Sequence, residues 1–260
     1  MQYRNSAGSF FSNIPPIVKN LIIINILMFL ASMAFPIFMK EHFVLYYPES
    51  PMFRPLQLFT SMFMHADFPH LFFNMWMLFI LGITLERYWG PKRFLLFYLI
   101  TGIGASVFAL FTKWLYVLYL ESNIDPESLV YMKEYLNENY FRIMNDFVKT
   151  GSAMIPDGAT GMSDWFLTKC SSSLGASGAI YGLFMAFGML FPDAEFGIIF
   201  LPVRIKAKWM VIILGAIALW SGLKNNTGDN VGHFAHLGGL IFGYILMRYW
   251  EKRGGNHIFH

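Results

Sequence analysis

Five residues from three distant segments have the types and spacing to do nucleophilic chemistry. Ser177 lies in Gly175-Ala176-Ser177-Gly178, where an apolar helix is expected to begin. Free backbone N–H groups and the positive dipole end at such a start favour developing negative charge. A serine hydroxyl is a poor nucleophile until a base within hydrogen-bond reach takes its proton, and His236 is the candidate base. Tyr181, one turn beyond Ser177, can pack against that imidazole and hold its orientation. His70 and Asn74, at i and i+4, project from one helix face. Their side-chain N–H groups, with the Ser177 N–H, would make an oxyanion hole, in which one lost donor costs about 2.7–4 kcal/mol. No Asp or Glu lies in these helices at matching depth, so a dyad fits better than a triad; Asp67 and Asp229 read as loop residues.

Taken singly, each residue has a plainer reading. An intramembrane Ser usually bonds its own i−4 carbonyl, and an isolated His is often interhelical glue. Convergence of three segments at one depth argues for function. The glycines bear on that convergence. Gly175 and Gly178 would let another backbone approach the serine closely. Gly178, Gly182 and Ala186 repeat at i+4 as a close-packing face, and Gly239 and Gly243 do the same. His236 shares a face with Gly239 and Gly243, so its helix can lie tightly against that of Ser177 while presenting the imidazole.

The elements that must position these residues are membrane spans. Of 260 residues, 56% are hydrophobic, 18% aromatic and 13% charged, about half the charge of a soluble protein. That excludes a soluble enzyme, a disordered chain and a nucleic-acid binder. Six apolar runs approach the length of about 20 residues that crosses a bilayer: Ile17–Phe38, Leu71–Leu85 (starting a turn earlier), Phe94–Phe111 (extending into Trp114–Leu120), Leu174–Phe191, Trp209–Leu223 and Phe234–Trp250. The first resembles a signal peptide but is too long for one and reads as a retained helix. With the N-terminus inside, the inner segments 1–19, 86–93, 192–208 and 248–260 hold 11 of the 19 Lys and Arg but only 4 of the 16 acids. Short loops obey the positive-inside rule, so both termini are expected in the cytoplasm.

Ser122–Ser173 is too polar to span. Its first half, Pro126–Lys149, has the periodicity of an amphipathic helix on the outer face. The second half, Thr150–Ser173, reads as loop, with a turn at Pro156-Asp157-Gly158. Ser50–Ser61 reads as an interfacial loop. Asn225–Gly232 is short, polar and Gly-bearing, fit to open and close before the sixth span. Cys170 is the only cysteine, which excludes an internal disulfide.

In combination, these pieces resemble the rhomboid intramembrane serine proteases. The resemblance rests on His70-x3-Asn74, Gly82-x3-Glu86-x3-Gly90, Gly175-Ala176-Ser177-Gly178 with Tyr181, and Ala235-His236-Leu237-Gly238-Gly239-x3-Gly243. It covers about residues 50–110 and 170–250. It implies an all-α, six-helix multi-pass bundle in the cell membrane, with Ser177 as nucleophile and His236 as base in a cavity open to the outside. It also implies that Tyr181 stacks on His236, that His70 and Asn74 stabilise the oxyanion, and that His65 holds the first outer loop. Phe53-Arg54 stands where the family often carries Trp-Arg, which implies a structural Arg54. The 122–173 insert is longer than in compact members.

The organisation expected is a cytoplasmic segment 1–16, a membrane domain 17–250 and a tail 251–260. The substrate implied is a transmembrane segment of another protein, unwound where Gly, Pro or small residues weaken its helix, with a small residue before the cut. The bilayer is the other partner; no cofactor, metal or nucleic acid is expected. Two other classes compete. One is a metal or transport site built from His65, His70, His233 and His236, against which stands the lack of an acid or an H-E-x-x-H pair. The other is a non-catalytic scaffold that binds transmembrane helices, a reading that expects the nucleophile or base to be missing.

Overall fold

The computed structural model describes residues 13–150, 163–197, 204–224 and 230–254. Its helices are α1 (Pro16–Ala34), α2 (Pro36–Phe43), α3 (Gln57–Thr60), α4 (Phe68–Trp89), α5 (Pro91–Ser122), α6 (Pro126–Thr150), α7 (Ser163–Cys170), α8 (Ser177–Leu190), α9 (Ala207–Leu223) and α10 (Asn230–Gly254). A 3-10 turn, Ser61–Phe63, follows α3, and strands β1 (Glu195–Gly197) and β2 (Arg204–Lys206) pair antiparallel. The α1, α4 and α5 helices are long and apolar enough to cross a membrane, and α8 and α9 are shorter apolar helices.

Proline sets several boundaries that hydropathy alone misplaces. The first apolar run does not continue to Phe38. Pro36 forces its predecessor out of the helical region, and Phe35 sits at φ −132° and ψ 60°, so α1 stops at Ala34 and α2 restarts. The third run extends as expected. Lys113 does not interrupt it, and α5 continues through 32 residues to Ser122. At about 1.5 Å per residue it is roughly 48 Å long, well beyond a hydrocarbon core of about 30 Å.

Glu86 ties the first helix to the bundle. Its carboxylate, 2% exposed, accepts the Ile17 N–H at 3.0 Å and the Val18 N–H at 2.8 Å. Those donors belong to the first turn of α1 and have no intrahelical acceptor. Gly82, one turn earlier, lets α1 come close: a Cβ there would lie 2.7 Å from Val18. Gly90, at φ +80°, makes the turn from α4 into α5.

The centre of the bundle is α8, which packs on α4, α5, α9 and α10. A helix apolar all round belongs there, and nine of its fourteen residues are buried. The small-residue faces differ from the simple two-helix contact expected. A Cβ on Gly178 or Gly182 would lie 2.6 Å from Ala105 or Thr101 of α5. The α10 glycines meet α8 backbone: a Cβ on Gly239 would fall 2.0 Å from the Gly178 carbonyl oxygen, and one on Gly243 would fall 3.1 Å from the Gly182 Cα.

A second apolar core sits beyond the first, built from the far end of α5, the insert and the chain after α2. It buries Tyr47, Val117, Met132, Tyr140, Trp165 and Cys170. The α6 helix matches the expected amphipathic segment. The α7 helix corrects the loop reading of 150–173. Trp165 and Lys169, and Phe166 and Cys170, form buried i, i+4 pairs that a segment of eight residues is too short to signal by periodicity. The hairpin β1–β2 likewise stands within an expected inner loop. The Pro156-Asp157-Gly158 turn and most of the Asn225–Gly232 segment lie outside the described residues.

Candidate active site

Ser177 is the first residue of α8, and the residue before it, Ala176, has no side chain that could cap the helix start. Its first N–H groups therefore lack both an intrahelical acceptor and the usual Ser, Thr or Asp cap. The hydroxyl reaches across to α10, where His236 Nε2 lies 2.8 Å from Ser177 Oγ. That distance is a normal hydrogen bond in which the imidazole can accept the hydroxyl proton. Tyr181, one turn along α8, stacks on the imidazole with ring centroids 4.1 Å apart and planes 5° from parallel. His233 packs edge-on against the same imidazole, with centroids 6.2 Å apart.

The segment entering α8 is held from three sides, and sequence reading found none of these supports. Leu45 and Ser173 exchange both backbone hydrogen bonds, at 3.0 and 2.8 Å. The Gly175 N–H donates to the Ser61 carbonyl at 2.9 Å. Lys113, 5% exposed, donates from Nζ to the Ser171 carbonyl at 2.7 Å. A lysine in the middle of an apolar helix was the one available signal for the last.

Gly175 is approached by a side chain, where a backbone was expected. It adopts φ +123°, and a Cβ there would lie 2.9 Å from the His70 Cε1 and Nε2 atoms and 3.7 Å from Ser177 Oγ. His70 is thus brought to the entrance of α8. Its own helix start is capped by Asp67, whose carboxylate accepts the His70 N–H at 2.7 Å; Asp67 is therefore a helix-capping residue, in keeping with its loop reading. Asn74, one turn along α4, is buried, and its amide nitrogen has no hydrogen-bond partner among the described residues. An orphaned buried donor is uncommon and can serve a transient oxyanion.

His65 packs edge-on against His70, with centroids 5.1 Å apart. It is 4% exposed, and neither ring nitrogen has a hydrogen-bond partner among the described residues. Burial pushes its imidazole down to about 4, helped by repulsion from the His70 ring and opposed by the Phe63 backbone and by Asp67. The first outer loop is organised by Gln57. Its fully buried amide donates to the Met52 carbonyl at 2.9 Å and accepts the Arg54 N–H at 3.1 Å. Arg54 itself is exposed and joins that network through its backbone.

Beside His65 an apolar cleft of about 910 Å³ opens between α1, α2 and α4, lined among others by Phe29, Met33, Met64, Phe72 and Leu174. Among the described residues no three His, Cys, Asp or Glu side chains gather where they could share a metal ion.

A family model for the rhomboid domain matches residues 53–118 and 151–252. It passes over 119–150, the end of α5 and all of α6. Rhomboid protease AarA of Providencia stuartii is 39% identical over 72 residues, 28% of this chain and 25% of that protein. RHOMBOID-like protein 6, mitochondrial, of Arabidopsis thaliana is 27% identical over 190 residues, 73% of this chain and 42% of that one. RHOMBOID-like protein 4 of the same plant is 28% identical over 190 residues, covering 32% of its own length. The chain spans less than half the length of these relatives. With a family model covering well over half of its residues, and apolar helices around a buried central one, the chain is an all-α, multi-pass membrane protein that belongs to the rhomboid family.

Proposed function

We propose that the chain is an intramembrane serine endopeptidase in which Ser177 and His236 form a catalytic dyad. The observation that carries this reading is the 2.8 Å contact between Ser177 Oγ and His236 Nε2, with Tyr181 stacked on the imidazole. The Ser177 oxygen attacks the scissile carbonyl carbon while its proton passes to His236. The C–N bond then breaks, and His236 returns the proton to the leaving amine. Water attacks the acyl-serine, gives a proton to His236, and the ester bond breaks as Ser177 recovers it. The Ser177 N–H, Asn74 and His70 donate to the oxyanion in both halves.

Helix length favours a site below the membrane surface. The 14 residues of α8 rise only about 21 Å, short of a hydrocarbon core of about 30 Å. The non-helical chain before Ser177 then lies at membrane depth, which is tolerated only where protein covers it or water fills a cavity. The substrate is a transmembrane segment whose helix gives way near small residues or proline, and the cleft beside His65 suits one of its large apolar side chains.

Six spans with both ends in the cytoplasm accord with the packing. Glu86 joins the end of α4 to the start of α1, and Arg93 over Trp250 joins the start of α5 to the end of α10. Four helix ends therefore meet on one side, together with Arg87, Lys92, Arg248, Lys252 and Arg253.

Cleavage of a reporter transmembrane substrate by the full chain tests the reading. Ser177→Ala and His236→Ala should each lower the rate by at least about a thousandfold, and fluorophosphonate labelling of Ser177 should vanish in both. Undiminished cleavage by Ser177→Ala overturns the dyad. A wild type that holds the reporter but never cuts it supports the scaffold reading instead.

A further inference from the structure

Where the start of α5 meets the end of α10, an open groove of about 440 Å³ is lined by Lys92, Arg93, Leu96, Trp250 and Arg253. Three of its five walls are cations, and rings rather than carboxylates orient the two guanidinium groups. Arg93 Cζ lies 4.3 Å from the centroid of the Trp250 ring, and Arg253 Cζ lies 4.8 Å from that of Tyr249. Stacking fixes the plane of a guanidinium without neutralising it, and leaves the N–H edge free for a second partner. Among the described residues no carboxylate lies within ion-pair distance of Lys92, Arg93 or Arg253.

Four other cations of the inner segments are compensated. Arg248 pairs with Glu251 at 2.6 Å, Arg204 with Glu195 at 3.4 Å, and Lys206 and Lys208 share Asp193 at 3.2 and 2.9 Å. Lys19, Arg87 and Lys252 also have no carboxylate within ion-pair distance among the described residues, but the groove gathers three such cations around one cavity. Its depth is that of a membrane interface, marked by Trp89 against Trp250 with centroids 5.6 Å apart. Half-exposed Leu96 continues the groove one turn towards the apolar middle of the bundle.

We infer that this groove binds the phosphate of an anionic phospholipid, with Arg93 and Arg253 as forked donors, Lys92 as a point charge and Leu96 against the first acyl methylenes. Basic pockets between transmembrane helices take anionic headgroups in this way, and the stacked guanidinium edges match phosphate oxygens bidentately. A free phosphate ion would satisfy the same donors but leave Leu96 without a partner. The inference stands apart from the protease reading, since it uses none of the dyad residues.

The test is lipid retention by the purified full chain, read by native mass spectrometry after titration with phosphatidylglycerol, phosphatidylcholine or inorganic phosphate. Phosphatidylglycerol should be retained in preference to the zwitterionic lipid, and inorganic phosphate should fail to displace it at matched concentration. The combined variant Lys92→Gln, Arg93→Gln and Arg253→Gln should weaken retention by about tenfold or more. Arg204→Gln, Lys206→Gln and Lys208→Gln remove equal charge outside the groove and should leave retention unchanged. Should the groove variant not fold, Lys92→Gln alone, a change at an exposed side chain, should still weaken retention measurably. Equal retention of both lipids, displacement by inorganic phosphate, or equal loss in the two triple variants each overturns the assignment.

Discussion

Gly175 occupies a conformation that an L side chain adopts only with strain, and the His70 ring stands where its Cβ would go. Gly175→Ala should therefore fold, because the strain is about 1–3 kcal/mol, yet cut a reporter substrate at least about tenfold more slowly as His70 and Ser177 shift apart. A rate equal to wild type would show that His70 and the α8 entrance tolerate displacement. His65 makes a separate prediction. Its imidazole is held down to about 4 against 6.5 when unfolded, so the folded state keeps it neutral where the unfolded chain takes up a proton. Its contribution to stability is complete above about pH 6.5 and is lost as pH falls towards 4. Thermal unfolding in detergent should show a wild-type midpoint that drops over that window, and a shallower drop in His65→Phe. At this scale the meeting of Ser177, His236 and Tyr181 was legible, because Ser177 and Tyr181 keep helical spacing and His236 shares a glycine face. The positive φ of Gly175 was not, since it depends on the Ser61 carbonyl and on a ring from α4.

Helix starts show how an element depends on a residue far away in sequence. The carboxylate of Glu86 holds two N–H groups of α1 across 68 and 69 positions. Glu86→Ala should remove two charge-assisted bonds and leave those donors buried, lowering stability by about 2–4 kcal/mol. Glu86→Gln, which keeps one acceptor, should fall between; equal midpoints for all three proteins would mean that α1 docks by packing alone. The Gly82-x3-Glu86-x3-Gly90 spacing could be read from sequence, but its three separate jobs (close approach, capping and turning) appear only with α1 and α5 in place. One boundary went wrong where local chemistry overrode hydropathy: Pro36 broke a run that looked continuous. The expected extension of the third run past Lys113 holds, because the ammonium finds the Ser171 carbonyl. The α7 helix was illegible because eight residues give two turns, and its apolar face becomes evident only against Tyr47 and the end of α5.

The molecule as a whole is two stacked cores that share α5. One is ringed by apolar side chains left exposed, among them Leu27, Phe73, Ile212 and Trp220, as lipid contact requires; the other covers the chain that enters α8. This arrangement makes sidedness testable with little background, because Cys170 is fully buried and burial pushes its thiol up to about 11. In oriented vesicles, Tyr131→Cys on α6 and Lys206→Cys on β2 should label with an impermeant maleimide from opposite faces, and wild type should not label. Labelling of both from the same face would refute the six-span arrangement. Sequence alone determined the solvent, the helical class and the identity of the candidate dyad, because apolar run length, charge asymmetry and helical period are local quantities. Tertiary structure decided what no local quantity carries. Contacts between residues far apart in sequence set the 2.8 Å separation of Ser177 and His236, the uncapped start of α8, the orphaned Asn74 amide and the ring-held cations at the opposite end.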